Sequence, residues 1–416
     1  MTVSFLPDVP ADLLRGLDAP LAAVVALARR LGADGFPFAS SGFDTALFQK
    51  ALLARAEELS VLGLILVELD RTGRLRGMRS GAGLAADHLR RARRQAAMWD
   101  LERDSVLLRL ERAGIPVLLL KGAALRVTSY RDSAERAFGD IDVLVPKESL
   151  AAAVAALAEL GYAPETEDRV RLYLEHYHHL ILSKPDGFVA EVHWALVPVM
   201  SPLQLDSEAF WRDARTLNRP GGVRTVVPSA HHMVLHLAQQ NMEDGFSQLR
   251  RLVDIDRVIS ATADFDWDRL SIESKRMRVQ AVVALALQLA QVLLGTAVPR
   301  GFVRGLGISS VARMHLALLD PVALVLERRA RRRAVQDLLT VWCLPDFAAR
   351  MRALKAMWTG DQERLWHRLG WFRNDVGTAI ASLLKLAGYQ AMLYPTLIVG
   401  IRARARRSGR FWHDGS

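Results

Sequence analysis

The chain has 416 residues, 51% of them hydrophobic and 24% charged, with 28 Gly and 16 Pro. At roughly 100–200 residues per domain that length implies two or three domains, and the composition excludes a disordered, collagen-like or low-complexity chain. One cysteine, Cys343, excludes an internal disulfide and a cysteine-based zinc site and fits a reducing compartment. The net charge of +10 is unevenly placed: residues 321–416 carry 17 Lys+Arg against 7 Asp+Glu, while residues 1–320 balance at 38 of each. Net charge therefore does not make the first 320 residues a surface for nucleic acid.

At the N-terminus, Asp8 and Asp12 stand where a signal peptide would be basic and then apolar, so a cytoplasmic location is expected. Residues 10–113 read as helical, with Leu59, Leu62, Leu66 and Leu69 spaced three and four apart and breaks near Gly32–Gly35 and Gly81–Gly83. A charged helical stretch then gives way to IPVLLL (115–120), a buried strand candidate. KGAALRVTSY opens a helix, DIDVLV (140–145) is a second strand, and ESLAAAVAALAELGY is a helix stopped by Gly161. YHHLILS and FVAEVHWAL flank Lys184-Pro185-Asp186-Gly187 and read as a hairpin.

After Pro202 the periodicity is helical again, in HHMVLHLAQQ, FSQLRRLVDIDRVIS and RVQAVVALALQLAQVLLG. The last is uncharged from Val279 to Val298, but Gln280, Gln288 and Gln291 favour a core helix over a membrane span. The apolar run 386–401 is short and interrupted by Gly388 and Pro395. The expected architecture is α+β: a small mixed sheet embedded in a predominantly helical protein. Its expected parts are a helical region 1–95, an α/β core 96–200, a helical domain 201–310 beside the site, and a basic helical region 311–416.

Chemistry concentrates in residues 118–145. Asp140 and Asp142 are two apart, and side chains two apart on a strand share a face. Their repulsion is relieved by a cation, which fits one or two Mg²⁺ ions shared with substrate phosphates; a solvated strand edge is the plain alternative. Lys121-Gly122 sits between a strand and a helix, where a bare backbone, free N–H groups and a positive charge suit an anion. Glu191, inside an apolar strand run, is the candidate third carboxylate; an ion pair with a nearby cation is the alternative. His193 shares its face and either orients Glu191, contacts substrate or simply packs.

The order of these pieces, with Tyr130, Arg136, Gly161-Tyr162 and EVHW, resembles the uncharacterised bacterial nucleotidyltransferases of the DNA polymerase β-type superfamily over about residues 95–260. The resemblance implies that Asp140, Asp142 and Glu191 bind two Mg²⁺ ions while Lys121, Gly122 and Arg136 hold the triphosphate of a nucleotide such as ATP. It places Arg250 beside the phosphates, although an i,i+4 surface pair of Arg250 with Asp254 is equally expected from spacing. Tyr130 and His193 are assigned to the substrate or to support of the site. Gly122-Ala123 departs from the superfamily's usual Gly-Ser or Gly-Gly pair.

The expected activity is transfer of a nucleotidyl group to a small-molecule or peptide acceptor with release of pyrophosphate. An RNA- or protein-directed transferase and an inactive nucleotide-binding module are the alternatives. His176, His178, His179, His231 and His232 raise a zinc reading, but neighbouring side chains on one element point to different faces, which argues against it. The basic clusters 327–333 and 402–410, the second following the apolar run, suit peripheral contact with the inner face of a membrane, a solvated helix face or RNA binding, against which stands the lack of an aromatic-interleaved basic stretch.

Overall fold

The computed structural model describes residues 17–29, 45–75, 82–198, 201, 203–310 and short stretches from 312 to 350. The break at Gly32–Gly35, both basic clusters and the apolar run 386–401 lie outside the described residues. Among the described residues no helix is long and apolar enough to cross a membrane.

Among the described residues, four helices precede the sheet. α1 (Ala19–Ala28) starts on Asp18, whose carboxylate accepts from the Leu21 amide. α2 (Ala46–Glu58) is capped in the same way by Thr45, and α3 (Leu62–Arg71) follows after a two-step turn. α4 (Ala82–Arg112) is a continuous helix of 31 residues, so the expected boundary at residue 95 falls in its middle.

Gly63 of α3 is required by contact rather than by backbone freedom. A Cβ there would lie 2.1 Å from the Ala134 carbonyl oxygen, in the 3₁₀ turn Ser133–Glu135. The helix thus rests directly on the loop that leads to Arg136 and Asp140. Gly63→Ala is expected to cost about 2 kcal/mol or more in urea unfolding, because a backbone oxygen cannot rotate away.

The sheet is built from β1 (Leu118–Leu119), β2 (Ile141–Leu144), β3 (Ala163–Pro164), β4 (His179–Ser183) and β5 (Val189–His193), in the order β1-β2-β5-β4-β3. β2 and β5 run parallel and the other pairs antiparallel, which makes it the mixed sheet expected from the sequence. α5 (Lys121–Thr128) lies between β1 and β2; α6 (Leu150–Ala158) and α7 (Glu167–His176) fall within the crossover from β2 to β5. A parallel pair needs such a long connection. Pro164, with no N–H to donate, is on the edge strand, where it is tolerated.

The β4–β5 hairpin closes as expected: the Gly187 amide donates to the Lys184 carbonyl at 3.0 Å, and Gly187 has φ of 89°. The Lys184 ammonium and the Tyr162 hydroxyl both donate to Glu102 of α4, tying the hairpin to the long helix.

The second half departs from the all-helical expectation. Between α8 (Ser207–Arg212) and the helical layer, β6 (Arg215–Asn218) and β7 (Arg224–Val227) form a separate hairpin. Gly221 and Gly222, with φ of 82° and 77°, make its turn. Then follow α9 (Ala230–Glu243), α10 (Leu249–Ala261), α11 (Trp267–Arg276), α12 (Gln280–Leu294) and the short α13 (Phe302–Gly305). α12 is the core helix expected, with Val282–Leu287 fully buried and Gly295 in the left-handed region as its stop. α9 packs on α10, α11 and α12, while α10 also meets α5, bringing this layer to the edge of the sheet.

Candidate active site

Parallel pairing sets Asp142 of β2 directly beside Glu191 of β5. Residues in register on adjacent strands share a face, so two acids 49 positions apart converge although the sheet around them is apolar. Ile141, Val143, Ala190 and Val192 are all fully buried and hold the backbone in place. Asp140 stands one residue before β2 begins, so the two aspartates are not on one strand as expected. It nonetheless lines the same cavity, of about 380 Å³, as Asp142 and Glu191.

Lys121 lies between the acids, its Nζ 2.5 Å from Asp142 Oδ1 and 3.1 Å from Glu191 Oε2. Burial disfavours its ammonium, but the two carboxylates outweigh that and hold its pKa above the ordinary lysine value. Burial also pushes Glu191 upward, yet the hydrogen bond from His193 and the Lys121 charge prevail and keep it ionised, well below the usual range. His193 Nε2 is 3.0 Å from Asp142 Oδ1 and 3.3 Å from Glu191 Oε2. His193 thus contacts both acids from the neighbouring strand position.

Asp140 differs. Burial, then the charges of Asp142 and Glu191, push its carboxyl up to about 6 despite Lys121 and Arg136. Folding thus favours protonated Asp140; that stabilisation is fully present below the ordinary aspartate value of 3.8 and is lost as pH rises through about 6. In chelator-stripped protein, Asp140→Asn is expected to raise stability at pH 7.5 by up to roughly 3 kcal/mol and to change little at pH 4. Urea unfolding at both values checks this, and equal effects at the two would refute it.

The local backbone refines the expectation for Lys121-Gly122. Lys121 takes the left-handed conformation, φ of 46°, at the first position of α5. Gly122 is needed for another reason: a Cβ would lie 2.8 Å from the Phe138 Cβ. Its bare face seats the loop before β2, and the residue also lines the cavity. α5 has no side-chain cap, so its first N–H groups remain available at the cavity.

Arg136 is 7% exposed and lines the cavity, with Nε 2.7 Å from Asp254 Oδ1. Tyr130 donates to the same oxygen at 2.7 Å. The guanidinium expected to hold phosphate is thus anchored to α10, and Tyr130 supports Asp254 rather than lining the carboxylate cavity. Asp254 is fully buried, so the surface pair of Arg250 with Asp254 does not form. Arg250 instead lines the cavity beside Ala137, its pKa lowered to about 10 by burial and by Arg136.

Behind this loop, Asp100 of α4 accepts from Ser133, Arg126 and Arg103. Arg126 also donates to the Arg136 carbonyl and stacks 4.0 Å over the Phe138 ring. The sequence reading did not include His178, His179, Phe138, Gln240, Glu243 and Arg251 among the lining residues. The spacing of His236, Gln240 and Glu243, four and three apart, was the available signal for one face of α9.

The acids fit a divalent metal. Asp142 Oδ2 is buried without a partner among the described residues, and three carboxylates supply the oxygen donors that Mg²⁺ prefers. Acids paired across two strands, opposite a lysine at a helix start, form a site suited to phosphate-ester chemistry. The chain belongs to the family of uncharacterised nucleotidyltransferases, whose model matches residues 47–295. No curated protein matches the chain. Among solved structures, it is similar to an antigenic nucleotidyltransferase-like protein from Paracoccidioides brasiliensis, with 16% identity over 39% of this chain and 74% of that one. The TM-score is 0.27.

Proposed function

We propose that the chain is a Mg²⁺-dependent transferase that moves a nucleoside monophosphate from a nucleoside triphosphate to a hydroxyl, or similar nucleophile, of a small molecule or peptide. The observation that carries this reading is the pairing of Asp142 with Glu191 at the cavity, with a buried, unpartnered oxygen on Asp142. Asp140, Asp142 and Glu191 would hold two Mg²⁺ ions. When bound, the metal neutralises charge on the phosphates and lowers the pKa of the attacking hydroxyl.

Lys121, the start of α5 and Arg250 supply positive charge and N–H donors for the triphosphate. The acceptor hydroxyl gives up its proton to solvent as its oxygen attacks the α-phosphorus, the bond to the β-phosphate bridging oxygen breaks, and pyrophosphate departs. Arg136, fixed by Asp254, holds the Phe138–Asp140 loop against α10. Gln240 and Glu243, on α9, face the same cavity and suit hydrogen bonds to a polar acceptor. The balanced charge of residues 1–320 supports a small acceptor over nucleic acid.

Incubating the full chain with Mg²⁺, each α-labelled triphosphate and fractionated small-molecule or peptide acceptors tests the proposal. Label transfer with stoichiometric pyrophosphate is expected for at least one triphosphate. Triphosphate binding without turnover under every condition would favour the inactive module.

A further inference from the structure

We propose that His178, His179 and His193 form a second metal site, for a borderline transition-metal ion of the Zn²⁺ class, adjoining the carboxylates. One ring nitrogen of each histidine lies within 4.8 Å of the others. The ring centroids are 4.7 Å apart for His178 and His179, 4.8 Å for His179 and His193, and 5.3 Å for His178 and His193. The Nδ1 atom of all three is buried and, among the described residues, without a hydrogen-bond partner. His193 itself is 1% exposed.

The expectation that neighbouring histidines point apart fails here for a local reason. His179 is the first residue of β4 and stands opposite His193 of β5. His178 precedes the strand, with its carbonyl accepting from the Trp194 amide, so strand alternation does not fix its ring. Three imidazoles therefore meet at one end of the hairpin.

His193 Nε2 faces Asp142 Oδ1 at 3.0 Å and Glu191 Oε2 at 3.3 Å, so its buried Nδ1 is the ring nitrogen left for a metal. A ligating histidine that donates its other N–H to a carboxylate is the usual support of a metal site. Imidazole nitrogens suit Zn²⁺, Co²⁺ or Ni²⁺, whereas Mg²⁺ selects the oxygens next door. Zn–N lengths of about 2.1 Å place ligand nitrogens roughly 3.4 Å apart, so the rings need to close by about an ångström. His178 and His179 line the cavity, which leaves a fourth position for water or a substrate atom.

Co²⁺ is the probe. Chelator-stripped full-length protein is expected to take up one equivalent with the visible absorption of a near-tetrahedral nitrogen site, displaced by Zn²⁺ and unaffected by excess Mg²⁺. His178→Gln and His179→Gln are each expected to weaken Co²⁺ binding by on the order of tenfold or more. Asp140→Asn is expected to keep the band. Absence of the band in the wild type, its persistence in the His178→Gln/His179→Gln double variant, or its displacement by Mg²⁺ would each overturn the site. Circular dichroism verifies that the variants fold, and the wild-type titration decides without them. The spectrum is independent of nucleotidyl transfer, so this site and the proposed activity fail separately.

Discussion

Asp142→Asn is expected to lower nucleotidyl transfer about a thousandfold, roughly 4 kcal/mol of barrier, while thermal unfolding shifts by only a few degrees. The substitution keeps the side-chain volume and one oxygen but removes the charge. Lys121 retains Glu191 at 3.1 Å, and His193 Nε2 retains the same carboxylate at 3.3 Å, so neither buried donor is stranded. The loss therefore reports on charge at the reacting phosphate. A folded Asp142→Asn protein with unchanged turnover would remove Asp142 from the mechanism. Glu191→Gln should be less well tolerated by the fold, because Lys121 and His193 both lean on Glu191.

The largest stability effect is expected at Asp254. Asp254→Ala leaves the Arg136 guanidinium and the Tyr130 hydroxyl without their shared acceptor in a buried site, at a cost of about 3–5 kcal/mol. Tyr130→Phe removes one donor and leaves the ion pair, so about 1 kcal/mol is expected. Urea unfolding of the two variants orders them, and an Asp254→Ala effect below that of Tyr130→Phe would contradict the assignment. Replacing both charges, as in Arg136→Met with Asp254→Leu, should recover part of the loss because no lone buried charge remains. Activity should not recover with it, since the Phe138–Asp140 loop loses its anchor on α10.

Much of this arrangement was legible in the chain. Apolar runs interrupted by acids located β2 and β5, the Lys-Pro-Asp-Gly turn located the β4–β5 hairpin, and the uncharged stretch after Val279 gave a core helix. Asp140, Asp142 and Glu191 were found because acids inside apolar strands need a reason. Other features needed three dimensions. Nothing local to Arg136 says that Asp254 will be its partner, and the i,i+4 spacing of Arg250 and Asp254 pointed elsewhere. Gly63 looks like any helical glycine until the Ala134 carbonyl is brought against it. The β6–β7 hairpin was missed although Thr, Val and a Pro-Gly-Gly turn were in view, because the helical period on either side dominated the reading. The histidine cluster was missed by assuming strand alternation at a residue that precedes its strand.

The sequence separation within the site has a consequence for synthesis. His193 reaches back 51 residues to Asp142, and Asp254 reaches back 118 to Arg136. The central parallel pair cannot close before its whole crossover exists, and long-range pairings of this kind form slowly. A nascent chain that has emerged only through β5 holds the three acids but not the residue that locks Arg136. Its loop before β2 is then unanchored, and the buried charges of Lys121, Asp142 and Glu191 are the groups most exposed to mispairing. The anchor of this loop thus arrives only with α10, well after the three acids have emerged.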